Sequence, residues 1–155
     1  MKSWLLLGSF VLALHPGAAG SAPDPVSAAA MVQESVSKTG TIFIHRSAGE
    51  GAEDTVRVAG HAFATEGVTA PNPRPFAVLI ALPGSIRPLD PDDACDTFEP
   101  AIALRWSFAA TPYHALVSPD CAEILLTEGD TVLRYALDER AWKRFMEVLA
   151  PYGEE

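Results

Sequence analysis

Five carboxylates lie within ten residues of one proline-containing segment, residues 90–100, which we call the acidic loop. The five are Asp90, Asp92, Asp93, Asp96 and Glu99. Hard cations such as Ca²⁺ bind several carboxylate oxygens on one turn, and a dense anionic segment also suits a basic protein surface. The EF-hand spacing is not met, because Ala94 and Cys95 stand at the fifth and sixth positions from Asp90, where that loop needs Asp or Asn and then Gly. These carboxylates are therefore candidates for binding a basic partner surface or, weakly, a cation, and a solvated acidic loop held by a disulfide is the plainer alternative.

Three histidines outside the N-terminal segment are the candidate metal ligands: His45, His61 and His114. Zinc sites need three or four converging ligands, and the helical HExxH signature is absent. All three histidines lie on or beside predicted strands, so strand pairing could bring them together, although nothing in their spacing requires it. They make a small periplasmic hydrolase or metal-dependent enzyme the second hypothesis for function, against the more common role of a surface or hydrogen-bonded histidine.

The chain has two cysteines, Cys95 and Cys121. In an oxidising compartment such a pair forms a disulfide, and two cysteines allow only one intramolecular pairing. A reactive or metal-binding thiol has less support, because neither residue has a CxxC spacing or a neighbouring histidine. We predict a Cys95–Cys121 disulfide that staples the acidic loop.

No nucleophilic or nucleotide-binding motif is complete in this sequence. Ser85 follows an apolar run, but a nucleophile elbow needs small residues two positions before and after the serine, where Pro83 and Arg87 stand. A triad of Ser85 with His114 and Asp120 has no specificity, since triads depend on geometry and not on chain order. Phosphate loops of the GxGxxG or GxxxxGKS/T types are absent. We therefore expect no cofactor and favour a non-catalytic protein.

The first 22 residues have the pattern of a cleavable export signal. Lys2 supplies a positive charge, residues 4–14 form an uncharged apolar stretch, and small residues follow a Pro-Gly break. A bilayer-spanning helix needs about 20 apolar residues, so this stretch predicts a signal peptide and not a membrane anchor. We expect cleavage after Ala19 or Gly20 and a periplasmic or secreted protein with no stable membrane span.

The chain is acidic, with 11 Lys and Arg against 20 Asp and Glu and a formal net charge of −9. Removal of the signal peptide takes away only Lys2 among the charged residues, which brings the net charge to −10. So negative a surface repels nucleic acid and anionic lipid and favours a basic protein surface or another envelope protein as partner. Together with an excess of Arg over Lys that is typical of GC-rich bacterial genes, this predicts an exported bacterial binding module, inhibitor-like or envelope-associated.

Runs of β-branched, aromatic and alternating apolar residues predict strands over residues 41–46, 55–59, 76–82, 102–108, 113–117, 123–127 and 131–136. Turns are expected at Thr111-Pro112 and at Glu128-Gly129-Asp130. Asp138 is placed as the N-cap of a final helix that ends at Pro151. Its apolar stripe comprises Trp142, Phe145, Met146 and Leu149.

The pattern of these elements predicts an α+β fold: an antiparallel sheet of five to seven strands with a C-terminal helix packed on it. Residues 1–22 are then the signal peptide and residues 41–155 a single domain. Residues 23–40 are expected to be a linker or a short helix, for which Asp24 could act as the N-cap before Pro25.

Overall fold

The computed structural model describes residues 24–49 and 51–153. Within these ranges the helices are α1 (Pro25–Lys38), α2 (Arg74–Ala81) and α3 (Glu139–Gly153), with a 3₁₀ turn at Pro91–Asp93. The strands are β1 (Phe43–Arg46), β2 (Thr55–Val58), β3 (His61–Ala64), β4 (Val68–Thr69), β5 (Ile86–Pro88), β6 (Ile102–Phe108), β7 (Thr111–Val117), β8 (Glu123–Glu128) and β9 (Thr131–Leu137). The expected signal peptide and its cleavage positions lie outside the described residues. No helix in the described ranges is long and apolar enough to cross a membrane.

Seven strands form one antiparallel sheet in the order β4-β1-β6-β7-β8-β9-β5. This confirms the predicted class, an antiparallel sheet with a C-terminal helix on it. The hairpin β2–β3 is a separate two-stranded sheet. Side chains alternate between the two faces of the sheet along β6. Leu104 and Trp106 lie on one face, and Ala103 and Arg105 lie on the other.

The inner face of the large sheet carries the main core, to which all three helices contribute buried side chains. The sheet contributes buried aliphatic and aromatic side chains such as Leu104, Trp106 and Ile124, and the helices contribute Val36 and Phe145. Asp138 caps α3 as predicted, since its Oδ1 accepts the backbone N–H groups of residues 140 and 141. The predicted stripe of α3 also faces the core, with Phe145 and Leu149 buried and Trp142 and Met146 packed against them. The helix continues through Pro151 to Gly153 and does not end at the proline.

The outer face of the sheet is covered by two smaller elements. The hairpin β2–β3 folds back over it and buries Phe63, and the acidic loop places Phe98 beside the same cluster. Ala103, Leu116 and Leu125 supply the apolar sheet surface under both elements. Because both faces of the sheet are covered, the central strands are buried on both sides. Successive residues of these strands can therefore be apolar.

The N-terminal helix α1 is longer than the linker or short helix expected over residues 23–40. Asp24 caps it by accepting the N–H of Ser27, and Pro25 stands in its first turn. Its interior is fixed by tertiary contacts: the Trp106 indole donates to Ser35 Oγ at 2.9 Å, and the Tyr135 hydroxyl donates to the Pro25 carbonyl at 2.6 Å. Packing on the sheet therefore overrides the low helix propensity of its serines and β-branched residues.

Residues 76–82 were predicted as a buried strand, and this prediction is wrong. The segment forms α2, which buries Phe76, Leu79 and Ile80, three residues with the i, i+3, i+4 spacing of a helix face. A short, continuously apolar run has no period that separates a strand from a buried helix. Pro75 in the first turn favours the helix, because proline lacks only an N–H that would have no partner there.

The predicted turn at Thr111-Pro112 is also displaced. The β6–β7 hairpin turns at Ala109 and Ala110, both with positive φ (50° and 66°), and Thr111 begins β7. A two-residue turn with positive φ at both residues matches the twist of the two strands that it joins. Alanine is an unusual residue in this left-handed conformation. The β8–β9 turn lies at Gly129 and Asp130, as predicted.

Candidate functional site

The acidic loop is fixed to the outer face of the sheet by three kinds of contact. The first is the predicted disulfide between Cys95 and Cys121, whose Cα atoms are 6.4 Å apart. Cys121 is buried and lies just before β8, so the disulfide links the middle of the loop to the start of a strand in the interior of the sheet.

The second contact is a buried carboxylate. Glu123, the first residue of β8, is only 2% exposed, and its Oε1 accepts the backbone N–H of Cys95 at 2.5 Å. Its Oε2 forms an ion pair with Nε of Arg134 on the neighbouring strand β9. Arg134 also donates from Nη2 to the Cys95 carbonyl at 3.1 Å. Both backbone polar groups of Cys95 are therefore held by one charged pair on the sheet.

The third contact is aromatic. The Phe98 ring lies under the guanidinium of Arg134, 5.4 Å from ring centroid to Cζ, and meets the His61 ring edge-on at 6.0 Å. Phe98 thereby joins the loop to the β2–β3 hairpin as well as to β9. The loop is thus held to the sheet at Cys95 and again at Phe98.

The five loop carboxylates themselves point to solvent. All five residues are exposed, and none of them belongs to an ion pair found among the described residues. Asp90 caps the 3₁₀ turn by accepting the N–H of Asp92 at 3.0 Å, which is a local structural role. The loop therefore holds a group of exposed negative charges at fixed positions on the surface.

The carboxylates of the acidic loop do not converge on a cation position. In the described part of the chain, one set of three or more potential ligand atoms lies within 4.8 Å of one another, and it consists of Cys95, Cys121 and Glu123. The two sulfurs of that set are bonded to each other and Glu123 is paired with Arg134, so no ligand is available for a metal. Among the described residues, the loop carboxylates therefore offer no preformed chelating site.

The three histidines do not gather into one site. His61 lies at the start of β3 against Phe98, whereas His45 and His114 line one cavity on the outer face. Register explains this pair: His45 is opposite Ala103, and His114 is opposite Arg105, two residues further along the same strand β6. The sequence identified both residues, but their common cavity depends on the order β1-β6-β7.

This outer-face cavity has a volume of about 250 Å³ and lies between the sheet and the β2–β3 hairpin. Val56, Val58 and Phe63 of the hairpin form its apolar wall. Its polar residues are His45, Arg105, Ser107 and His114, all carried by the sheet.

The two histidines of the outer-face cavity are held by their Nδ1 atoms. His45 Nδ1 lies 3.1 Å from the Ala64 carbonyl, and His114 Nδ1 lies 2.9 Å from Thr127 Oγ1. Burial lowers the pKa of His114 to about 4, with further contributions from the positive charges of Arg105 and His45. His114 is therefore neutral at physiological pH.

Ser85 is not placed as a nucleophile. It is buried, and its Oγ donates to the Leu82 carbonyl at 2.7 Å within the turn after α2. It lines a surface groove beside α3, whereas His114 lines the outer-face cavity, so the two side chains do not share a site.

The residues that position both sites had no signal in the sequence. Glu123 and Arg134 are charged residues within predicted strands, and Arg105 occupies one of the polar positions that alternate with apolar ones along β6. A comparison with known protein families, with curated proteins and with solved structures finds no match for this chain.

Proposed function

We propose that this protein is a non-catalytic, exported interaction module that presents its acidic loop to a basic surface of a partner protein, as an inhibitor or as an envelope-associated factor. The observation that carries the proposal is the combination of five exposed carboxylates, which form no ion pair among the described residues, with a loop backbone that is anchored at Cys95. A rigid charged loop loses less conformational entropy on binding than a flexible one, which favours affinity. Complementary charge on the partner also raises the association rate.

The setting of the proposal is the extracytoplasmic space. The disulfide supports it, because a structural disulfide is stable in an oxidising compartment and rare in a reducing one. The N-terminal apolar segment supports it independently through the pattern of a signal peptide. The net negative charge disfavours nucleic acid and anionic membranes as partners and leaves a basic protein surface as the fitting class.

The test compares two variants that lose the same charge at different places. The loop variant carries Asp→Asn at residues 90, 92, 93 and 96 and Glu→Gln at residue 99, which keeps the hydrogen-bonding cap at residue 90. The control variant neutralises five exposed acids elsewhere on the described surface: Glu53, Asp54, Glu66, Asp120 and Asp130. Oxidised mature protein and both variants are immobilised and exposed to an extracytoplasmic extract, and bound proteins are quantified by mass spectrometry.

We expect proteins that the wild type retains at moderate salt to be recovered about tenfold less on the loop variant and at nearly wild-type level on the control variant. Their recovery should also fall as ionic strength rises, because exposed charges are screened. Equal recovery on the two variants would contradict the proposal, since net charge and not the acidic loop would then explain retention.

A further inference from the structure

Strand β9 is longer than the strand beside it at the edge of the sheet. β9 covers Thr131–Leu137, but β5 pairs with it only at Tyr135, Ala136 and Leu137, since β5 ends at Pro88. Among the described residues, the first half of β9 therefore has a neighbouring strand on one side, β8, and none on the other. We call the backbone N–H and C=O groups of Val132 and Arg134 the free edge of β9.

Two hydrogen bonds fix the direction in which the backbone groups of β9 point. The N–H of Leu137 donates to the Ala122 carbonyl, on the β8 side, at 2.8 Å. The N–H of Asp138 donates to the Ser85 carbonyl, on the β5 side, at 2.9 Å. Because bonded positions alternate along an antiparallel strand, the groups of the free edge point away from β8. They form no backbone hydrogen bond with another described residue on that side.

The free edge is accessible to another chain. Val132 is 47% exposed, and Arg134 is exposed as well. Their side chains lie on the outer face of the sheet, because Arg134 is opposite Leu125, which belongs to the apolar cluster of that face. A strand edge with accessible N–H and C=O groups can pair with an extended segment of a partner.

The acidic loop begins beside the free edge. Pro88 is opposite Tyr135, and Asp90 follows two residues later, about 7 Å along an extended chain. Arg134 connects the two features, because its backbone belongs to the free edge while its side chain donates to the Cys95 carbonyl in the loop. A segment that lies along the free edge therefore reaches the loop carboxylates at the Arg134 end.

We propose that the free edge of β9 binds an extended segment of the basic partner as an additional β-strand, with its basic side chains at the Arg134 end, beside the acidic loop. Backbone hydrogen bonds to Val132 and Arg134 supply affinity for a strand, and the loop carboxylates select a basic one. This inference rests on the proposed function, because it states how the partner of the acidic loop binds.

Charge argues against a second copy of this chain as the occupant of the edge. Each mature molecule carries a net charge of −10 and would bring its own acidic loop, so two copies repel one another. At the edge itself, the exposed acids at residues 90, 92 and 93 outnumber Arg87, the exposed cation of β5. A basic segment is the occupant that these surroundings favour.

Hydrogen exchange of the oxidised, isotope-labelled mature protein, observed by NMR, tests whether the edge is open. We expect the amide N–H groups of Val132 and Arg134 to exchange at least about tenfold faster than those of Leu133 and Tyr135, which point towards β8. Equal protection of all four amides would overturn the inference, because a segment of the chain or a second copy would then already occupy the edge.

The probe for binding is a capped six-residue peptide of alternating lysine and valine. One control has the same side chains and charge but is N-methylated at every backbone amide, and a second control has glutamate in place of lysine. We expect the amide signals of Val132 and Arg134 to shift saturably with the probe, at a dissociation constant of about 1 mM or below in low salt. The methylated peptide should bind about tenfold more weakly, because it cannot donate backbone hydrogen bonds. The glutamate peptide should be weaker still, since the loop repels it.

A matched pair of substitutions tests the edge from the protein side. Val132→Pro removes an N–H of the free edge without removing a hydrogen bond to β8, and proline is tolerated at such edge positions. Val132→Thr keeps the N–H. We expect about tenfold weaker binding of the lysine peptide to Val132→Pro and nearly unchanged binding to Val132→Thr. Circular dichroism verifies the fold of each variant, and the methylated peptide decides the matter if Val132→Pro does not fold.

The outcomes separate this inference from the proposed function. Equal binding of the lysine peptide and its methylated control, or equal binding to Val132→Pro and Val132→Thr, would overturn the added strand. The absence of a saturable shift at about 10 mM lysine peptide would overturn it as well. In each of these cases the acidic loop would still be the partner surface if the loop variant loses the extract proteins that the wild type retains.

Discussion

Replacement of Arg134 by leucine would leave the carboxylate of Glu123 buried with no cation beside it. In the wild-type protein this carboxylate is almost fully enclosed and has two partners, the N–H of Cys95 and the guanidinium of Arg134. The arginine is about one-third exposed, so water can solvate it when its partner is removed. Removal of Arg134 therefore leaves a buried carboxylate without a cation, whereas removal of the Glu123 charge leaves an arginine that water can solvate.

The sizes of the effects follow from this difference. Removing one partner of a buried ion pair costs about 3–5 kcal/mol, and we expect about 2–4 kcal/mol for Arg134→Leu because the arginine is partly exposed. Glu123→Gln keeps an acceptor for the Cys95 N–H and leaves a hydrated arginine, so about 1–2 kcal/mol is expected. The double variant Glu123→Leu, Arg134→Leu removes both charges and should be less destabilised than Arg134→Leu alone.

Urea unfolding of the oxidised protein measures these differences, followed by the fluorescence of the buried Trp106. A difference of 2 kcal/mol is well above the error of comparing midpoints within one series with a common slope. Glu34→Gln serves as a control, because it breaks an exposed i,i+4 pair with Lys38 that contributes about 0.5 kcal/mol or less.

The reasoning would be refuted if Glu123→Gln were as destabilising as Arg134→Leu, or if the double variant were less stable than both single variants. Either result would mean that the carboxylate is not desolvated in the way its burial indicates. The loop would then have to be held mainly by the disulfide and by Phe98.

Three further predictions concern the disulfide and the outer-face cavity. Replacement of Cys95 and Cys121 by alanine should lower the free energy of unfolding by about 3.5 kcal/mol, the loop-closure entropy for a separation of 26 residues, as measured by urea unfolding. Gly67→Ala should destabilise the fold by about 1–3 kcal/mol in a thermal melt, because the new Cβ overlaps the ring of His45. Since the folded pKa of His114 is about 4, below its ordinary value, the unfolded state takes up a proton first and stability falls as pH decreases. Between pH 7 and pH 5 this amounts to about 1 kcal/mol after solvent screening, and His114→Gln should remove that part of the pH dependence.

Each of these predictions has its own control or contrary outcome. The alanine pair would contradict the entropy argument if it changed stability by less than about 1 kcal/mol. Gly40→Ala, at a position with open space, should leave the melting temperature nearly unchanged while Gly67→Ala lowers it. Identical pH slopes for the wild type and His114→Gln would show that the imidazole is solvated in the folded state.

The sequence was sufficient for elements whose patterns have a clear period. The alternation of residues 102–108 and the Asp138-capped stripe of the last helix each have one interpretation, and the structure confirms both. Residues 76–82 are apolar at every position, so strand and helix fit equally well, and packing beside α1 decides for the helix. The turn at Ala109 and Ala110 uses residues that carry no turn signal.

The candidate sites could be predicted only in part. The five acids lie close together in the chain, and the two cysteines are the only pair that can form a disulfide, so the sequence predicts both features. The Glu123 contact to Cys95 spans 28 residues, and the Arg134 contact to Cys95 spans 39 residues, so both depend on the path of the loop across the sheet. In the same way, His45 and His114 share a cavity only because β1 and β7 are both neighbours of β6.

The central proposal, that the acidic loop touches a basic partner, is tested most directly by zero-length cross-linking. Carbodiimide treatment of the complex captured by the wild-type protein joins a carboxylate to a lysine in contact with it, and mass spectrometry identifies the carboxylate. We predict that most cross-links to the partner start at residues 90, 92, 93, 96 and 99. Cross-links that start mainly at Glu53, Asp54, Glu66, Asp120 or Asp130 would place the partner on another surface and contradict the proposal.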